Sequence, residues 1–174
     1  MKTDARTRYT LSVIKRSFLE LLKGKSIEKI TVREICTRAE INRTTFYRHY
    51  DDQYDLLDSL QRDILDKIKG EIDLRHPSPD ELCRLMFELI YENRGEWLVL
   101  MGDNADPRIT GKITRFISDY FKVSEKSDSG KMKYHFILSG AAGLFDYWTK
   151  SGMKEPPERM AEYVNSYNRA LNQG

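Results

Sequence analysis

One stretch, ITVREICTRAEINRTTFYRHY at residues 30–50, constrains the fold of this chain more than any other. Thr31 and Glu34 stand at the S/T-x-x-E spacing of a capping box, and Ile30 is placed to staple onto Ile35, so a helix is expected to start at Thr31. Val32, Ile35, Cys36 and Ala39 then fall on one face of that helix. Glu40-Ile41-Asn42 interrupts the pattern, and Asn42 suits the N-cap of a second helix. In that second helix Phe46 and Tyr50 lie one turn apart and face inward, which leaves Arg43, Thr44, Tyr47 and Arg48 pointing outward. Two short capped helices joined by a tight turn are a helix-turn-helix.

The same capping would suit a helical hairpin buried in a core. Charge separates the two readings. Residues 1–50 hold 12 Lys and Arg against 5 Asp and Glu, whereas residues 51–174 hold 17 against 22. The formal net charge of +2 thus conceals a basic head on an acidic body. A localised basic head supplies the phosphate attraction that dominates DNA affinity, and the acidic remainder argues against a DNA coat that spreads over the whole molecule. Arg43 and Thr44 suit base edges in a major groove, and Tyr47 and Arg48 suit phosphate oxygens. Arg48 also reads as a solvated surface charge, and His49 as a side chain that satisfies a local hydrogen bond beside Tyr50.

These residues resemble the tetracycline-repressor-like (TetR) family of bacterial regulators, whose motif runs T-V-x-x-I-A-x-x-A-G-V-S-x-x-T-L-Y-x-H-F-x-x-K-x-x-L. Thr31-Val32, Ile35, Ala39, Ile41, Asn42, Thr45-Phe46-Tyr47, His49-Tyr50 and Leu56 match or conservatively replace that pattern, and the resemblance covers residues 9–60. It implies that Arg43 and Thr44 approach bases, while Thr31, Thr45, Tyr47 and His49 hold the DNA backbone. Two positions depart from the pattern. Glu40 stands where the family has Gly, at a turn that favours positive φ. Gln53 replaces a Lys that meets a phosphate, leaving the amides at the start of the next helix as an alternative holder. A weaker resemblance, in size and in the opening segment, is to regulators of dihydroxyacetone-kinase operons, which implies control by a protein partner rather than a small molecule.

The remaining pattern predicts an all-α protein: a three-helix head at 1–50, a connecting helix at 51–75 and a helical body at 76–174. Leu11, Ile14, Phe18, Leu21 and Leu22 form the stripe of a first helix that stops at Gly24. Leu57, Leu60, Ile64 and Ile68 form that of a connecting helix capped by Asp51 or Asp52. Body helices are expected at 80–93, 96–101, 107–123, 130–151 and 157–172. In the body, FILSGAAGLFDYW clusters small residues between aromatics. Gly140, Gly143, Leu144 and Tyr147, with Met160, Val164, Tyr167 and Leu171 of the last helix, are the expected homodimer interface. Phe87, Tyr91, Trp97, Phe116, Tyr120, Tyr134, Phe136 and Trp148 suit either core packing or a cavity for a small effector.

Catalysis finds no candidate. His49, His76 and His135 have no second ligand at metal spacing, and the chain has no phosphate-binding loop or nucleophile elbow, so no metal or cofactor is expected. Cys36 and Cys83 are isolated, which suits a reducing cytoplasm, and no apolar run reaches the roughly 20 residues of a membrane-spanning helix. The sequence therefore points to a cytoplasmic homodimer that binds a palindromic double-stranded operator, with repression, the family's commoner mode, as the expected form of regulation and an activator or co-regulator controlled by a protein partner as the alternative.

Overall fold

The computed structural model describes residues 2–102, 104, 111–112, 115, 118 and 127–172. Every regular element among them is helical: α1 (Lys2–Leu22), a 3-10 turn η1 (Ile27–Lys29), α2 (Val32–Arg38), α3 (Arg43–Tyr47), α4 (Gln53–Arg75), α5 (Pro79–Glu92), α6 (Arg94–Leu100), α7 (Asp128–Lys150) and α8 (Pro157–Asn172). The helix expected at 107–123 lies almost wholly outside the described residues, as do Phe116 and Tyr120. Two starts move because of caps. Ser78 and Glu81 form a reciprocal capping box with Pro79 in the first turn, so α5 begins just ahead of residue 80. Ser127 accepts from the Gly130 amide at 3.1 Å, so α7 begins before residue 130.

The chain divides into two compact units, Met1–Asp66 with Gly95–Asp106, and Lys67–Arg94 with Pro107–Gly174. Through Gly95–Asp106, α6 groups with the first unit.

In the first unit the apolar stripes meet in one core. Ile14, Phe18, Leu22, Ile27, Ile30, Ile35, Phe46, Leu56, Leu57, Trp97 and Leu100 are all almost completely buried. Each such side chain stabilises the fold by about 1.5–3 kcal/mol through removal from water. Two polar side chains hold segments of this unit together. The buried Gln61 amide donates from Nε2 to the Leu100 carbonyl at 2.9 Å. Asn104 closes the end of α1 by donating from Nδ2 to the Leu22 carbonyl at 3.2 Å, while its own carbonyl accepts from the Ile27 amide at 2.8 Å. A helix leaves its last carbonyls without partners, and Asn104 supplies one. Gly102 follows α6 closely because a Cβ there would lie 2.5 Å from the Leu98 carbonyl oxygen.

In the second unit α5 packs along α8, and Asn165 donates from Nδ2 to the Asp80 carbonyl at 3.1 Å. Leu82, Leu85, Phe87, Ile90, Leu138, Ala142, Trp148, Met160, Ala161 and Val164 form its core. The link from α7 to α8 turns through Gly152 at φ 81° and Met153 at φ 54°, and Trp148 ties it down by donating from Nε1 to the Glu155 carbonyl at 2.8 Å. Only glycine adopts such φ without steric cost, so Met153 holds its strained conformation through its own burial.

Candidate nucleic-acid interface

Local chemistry fixes the two motif helices before packing acts. Thr31 is the N-cap of α2: its hydroxyl accepts from the Glu34 amide at 3.3 Å, and the Glu34 carboxylate accepts from the Thr31 amide at 3.0 Å. Lys25 adds an ion pair to the same carboxylate. The Lys25 ammonium first, then the Thr31 hydroxyl and amide, hold the Glu34 carboxyl down at about 2. Asn42 is the N-cap of α3, accepting through Oδ1 from the Thr45 amide at 2.7 Å. Between the helices Glu40 takes φ 54°, the left-handed conformation expected at the position where the family has Gly. A non-glycine residue there costs roughly 1 kcal/mol or more.

Burial then decides which side of α3 faces out. Phe46 is completely buried and holds the helix to its core, with the Tyr47 ring edge-on to it at 5.7 Å and Tyr50 tilted at 5.7 Å. Tyr50 is half-buried, and burial raises its hydroxyl pKa. Arg43, Thr44 and Arg48 are exposed, and Tyr47 is 54% exposed. The structure thus brings three of the expected contact residues, Arg43, Thr44 and Tyr47, onto one face of a five-residue helix, with Arg48 beside them at its C-cap. Thr31, Thr45 and His49 are different. The Thr31 hydroxyl donates to Glu34 Oε2 at 2.8 Å and the Thr45 hydroxyl to Asn42 Oδ1 at 2.8 Å. Both protons are committed to capping, so binding a phosphate requires them to rotate away. His49 is half-buried against Tyr50, with its amide donating to the Phe46 carbonyl at 2.9 Å.

At the start of α4 three backbone amides already have carboxylate partners. Asp52 Oδ1 accepts from the Tyr54 and Asp55 amides, both at 2.8 Å, and Asp55 Oδ2 accepts from the Asp51 amide at 3.1 Å. Carboxylates therefore occupy this helix N-terminus, where the dipole favours negative charge. Motif reading also passed over cations on α2 and η1. Lys29, Arg33 and Arg38 are exposed and lie in the helix-turn-helix unit; the charge excess of the first 50 residues was their only signal.

The expected body residues separate into distinct settings. Phe87, Tyr91 and Trp148 come together, with Phe87 edge-on to Trp148 at 5.2 Å and Tyr91 stacked on it at 6.2 Å. Beside them lies an apolar cavity of about 60 Å³ lined by Cys83, Met86, Phe87, Ala141, Ala142, Phe145 and Val164. That volume is small beside the hundreds of Å³ typical of ligand pockets. Trp97 is buried in the first unit, Tyr134 is half-buried, and Phe136 is 66% exposed, so these three do not join the aromatic cluster. Burial and the nearby Asp80 push the Cys83 thiol up to about 12, leaving it unreactive.

Of the expected interface residues, Gly140, Gly143, Tyr147, Tyr167 and Leu171 are exposed and Leu144 is half-buried. Met160 and Val164 are buried in the core of the second unit. Met132 and Phe136, which the interface reading lacked, continue the exposed stripe of α7 at helical spacing with Gly140, Gly143 and Tyr147.

Comparison with known proteins accounts for both units. The model of bacterial regulatory proteins of the tetR family matches residues 19–60, and that of the TetR transcriptional regulator C-terminal region matches residues 78–169, more than half of the chain. An uncharacterized HTH-type transcriptional regulator of Bacillus subtilis, YxbF, is 23% identical across 87% of this chain, which spans only 42% of that relative's length. The crystal structure of a TetR transcriptional regulator from Streptococcus agalactiae superposes with a TM-score of 0.74 at 20% identity, covering 97% of this chain and 98% of the other. The dihydroxyacetone kinase operon activator DhaS superposes with a TM-score of 0.54 at 19% identity, covering 92% and 94%. At these identities the superpositions speak for the fold, and among the described residues no helix is long and apolar enough to cross a membrane. With a capped helix-turn-helix in one unit and a matching C-terminal region in the other, the chain belongs to the TetR family and is a helix-turn-helix DNA-binding transcriptional regulator.

Proposed function

We propose that this protein binds a two-fold symmetric operator as a homodimer, and that it represses transcription by occluding a promoter. The observation that carries the reading is the outward face of α3, where Arg43, Thr44, Tyr47 and Arg48 stand on a helix anchored by the buried Phe46. Arg43 reads a base edge, Thr44 meets an adjacent base or methyl group, and Tyr47 and Arg48 fix register on phosphates. Five residues of helix reach few base pairs, and a second copy related by two-fold symmetry doubles the site. The exposed stripe of Met132, Phe136, Gly140, Gly143 and Tyr147 supports α7 as the self-complementary contact, its glycines permitting close approach. A regulator acting on a chromosome in this way works in the cytoplasm.

The test is fluorescence anisotropy of the purified protein with DNA upstream of its own gene and with random duplex. The expected result is preferential binding that survives random competitor. Arg43→Ala should lose about 1–3 kcal/mol of discrimination at one base position in each half-site. Equal losses on operator and random DNA would remove the base-reading role from Arg43.

A further inference from the structure

The cavity beside Trp148 is small, but the first unit holds a larger one. A groove of about 310 Å³ lies between α1 and α6, a volume within the range of small-molecule sites. All of its lining residues belong to that unit. Ser12, Arg16, Leu19 and Lys23 recur along α1 at the spacing of one helical face, and the other wall is the start of α6. Leu19 and Val99, both half-buried, make part of that lining apolar. Gly95 leaves it wide, because a Cβ added there would meet no atom within 4 Å.

Charge in this groove is not balanced. Its lining holds the cations Lys15, Arg16 and Lys23 against the acids Glu20 and Glu96. Each acid already has its own lysine: Lys15 pairs with Glu96, and Lys23 pairs with Glu20 at 2.6 Å. Arg16 is exposed and has no ion pair among the described residues. The Ser12 hydroxyl is committed as a donor to the Tyr9 carbonyl at 2.7 Å. One surplus guanidinium beside apolar side chains is complementary to a molecule with one carboxylate and an apolar body. The planar fork of Arg bonds both oxygens of a carboxylate, and its face packs on a ring. A bare inorganic anion would gain nothing from Leu19 and Val99, and a multiply charged one would meet Glu20 and Glu96.

We propose that the groove between α1 and α6 binds a small organic monoanion, its carboxylate held by Arg16 and its apolar body against Leu19, Gly95 and Val99. No DNA takes part in this binding, so the site stands or falls independently of the operator reading.

The test is isothermal titration calorimetry of the full-length protein with naphthoate, with the neutral naphthalenemethanol and with inorganic phosphate. Naphthoate should bind one molecule per chain. The alcohol and phosphate should each bind at least roughly 10-fold more weakly, because each lacks one half of the match. Arg16→Gln should weaken naphthoate binding by roughly 10-fold and leave that of the alcohol unchanged, while Arg16→Lys, which keeps the charge, should lose less. Gly95→Leu should remove binding by filling the groove, in a residue type that suits a helix. Absence of naphthoate binding, equal binding of the alcohol or of phosphate, or wild-type affinity in Arg16→Gln would overturn the inference. Wild-type affinity in Gly95→Leu would place the molecule elsewhere and overturn it as well. Circular dichroism of each variant checks that the helices are kept; should Gly95→Leu lose helicity, Arg16→Gln decides.

Discussion

The face that α3 leaves uncovered and the face that α7 leaves uncovered are both prominent, and they differ in kind. On α3 the exposed residues are Arg43, Thr44, Tyr47 and Arg48, polar groups around a single buried anchor. On α7 they are Met132, Phe136, Gly140, Gly143 and Tyr147, an apolar stripe with small residues at its centre. Water solvates the first face well, and what it attracts is charge. The second face is costly to leave in water, and what it attracts is another apolar surface. The two faces should therefore answer differently to salt: association through α3 weakens steeply as salt rises, while association through α7 barely changes.

The largest expected effect comes from the anchor. Phe46→Ala removes a completely buried ring and should cost about 3–5 kcal/mol of stability, measured by chemical unfolding, with loss of DNA binding. Next is the apolar face. Phe136→Asp places a charge in the stripe and should shift a dimer to monomer in sedimentation equilibrium, at low and high salt alike; a salt-dependent shift would break the contrast drawn between the faces. A smaller effect is expected at the start of α4. Asp52→Asn keeps an oxygen for the Tyr54 and Asp55 amides but removes a negative charge, so DNA binding should strengthen by a few-fold and its salt dependence steepen slightly. Unchanged binding would place α4 away from DNA.

The smallest concerns the α2 cap. Hydrogen bonding from Lys25 and Thr31 lowers the Glu34 carboxyl from its ordinary value of 4.5 to about 2. The folded state thus binds this proton less readily than the unfolded one, and the stabilisation is present above pH 4.5 and lost as pH falls towards about 2. The difference in thermal midpoint between the native protein and Glu34→Gln should accordingly be full at neutral pH and fade across that window.

Legibility in the sequence followed the range of the interaction. The caps at Thr31 and Asn42, the turn at Glu40 and the burial of Phe46 were all readable because each depends on neighbours within a few residues. The Ser78-x-x-Glu81 box was equally readable by the same rule, although the helix was expected to begin at residue 80. Other assignments depended on distant partners. The stripe of Met160, Val164, Tyr167 and Leu171 has one helical spacing throughout, yet its first half is buried and its second half exposed. Trp97 has the composition of a body aromatic, but its contacts place it in the core of the first unit. Asp52 is readable as a cap, while its effect on the phosphate-binding capacity of that helix emerges only once the amides it occupies are known.

The sequence by itself determined that this chain is helical, that residues 30–50 form two capped helices around a tight turn, and that positive charge gathers at the head. Short-range hydrogen bonding, helical periodicity and charge count are properties of the chain and need no fold to express them. The tertiary structure alone decided which apolar residues are core and which are surface, and that Asn104 closes the end of α1. Those facts depend on which segments distant in sequence come to share one apolar interior, and periodicity, which marks a face, does not say what covers it.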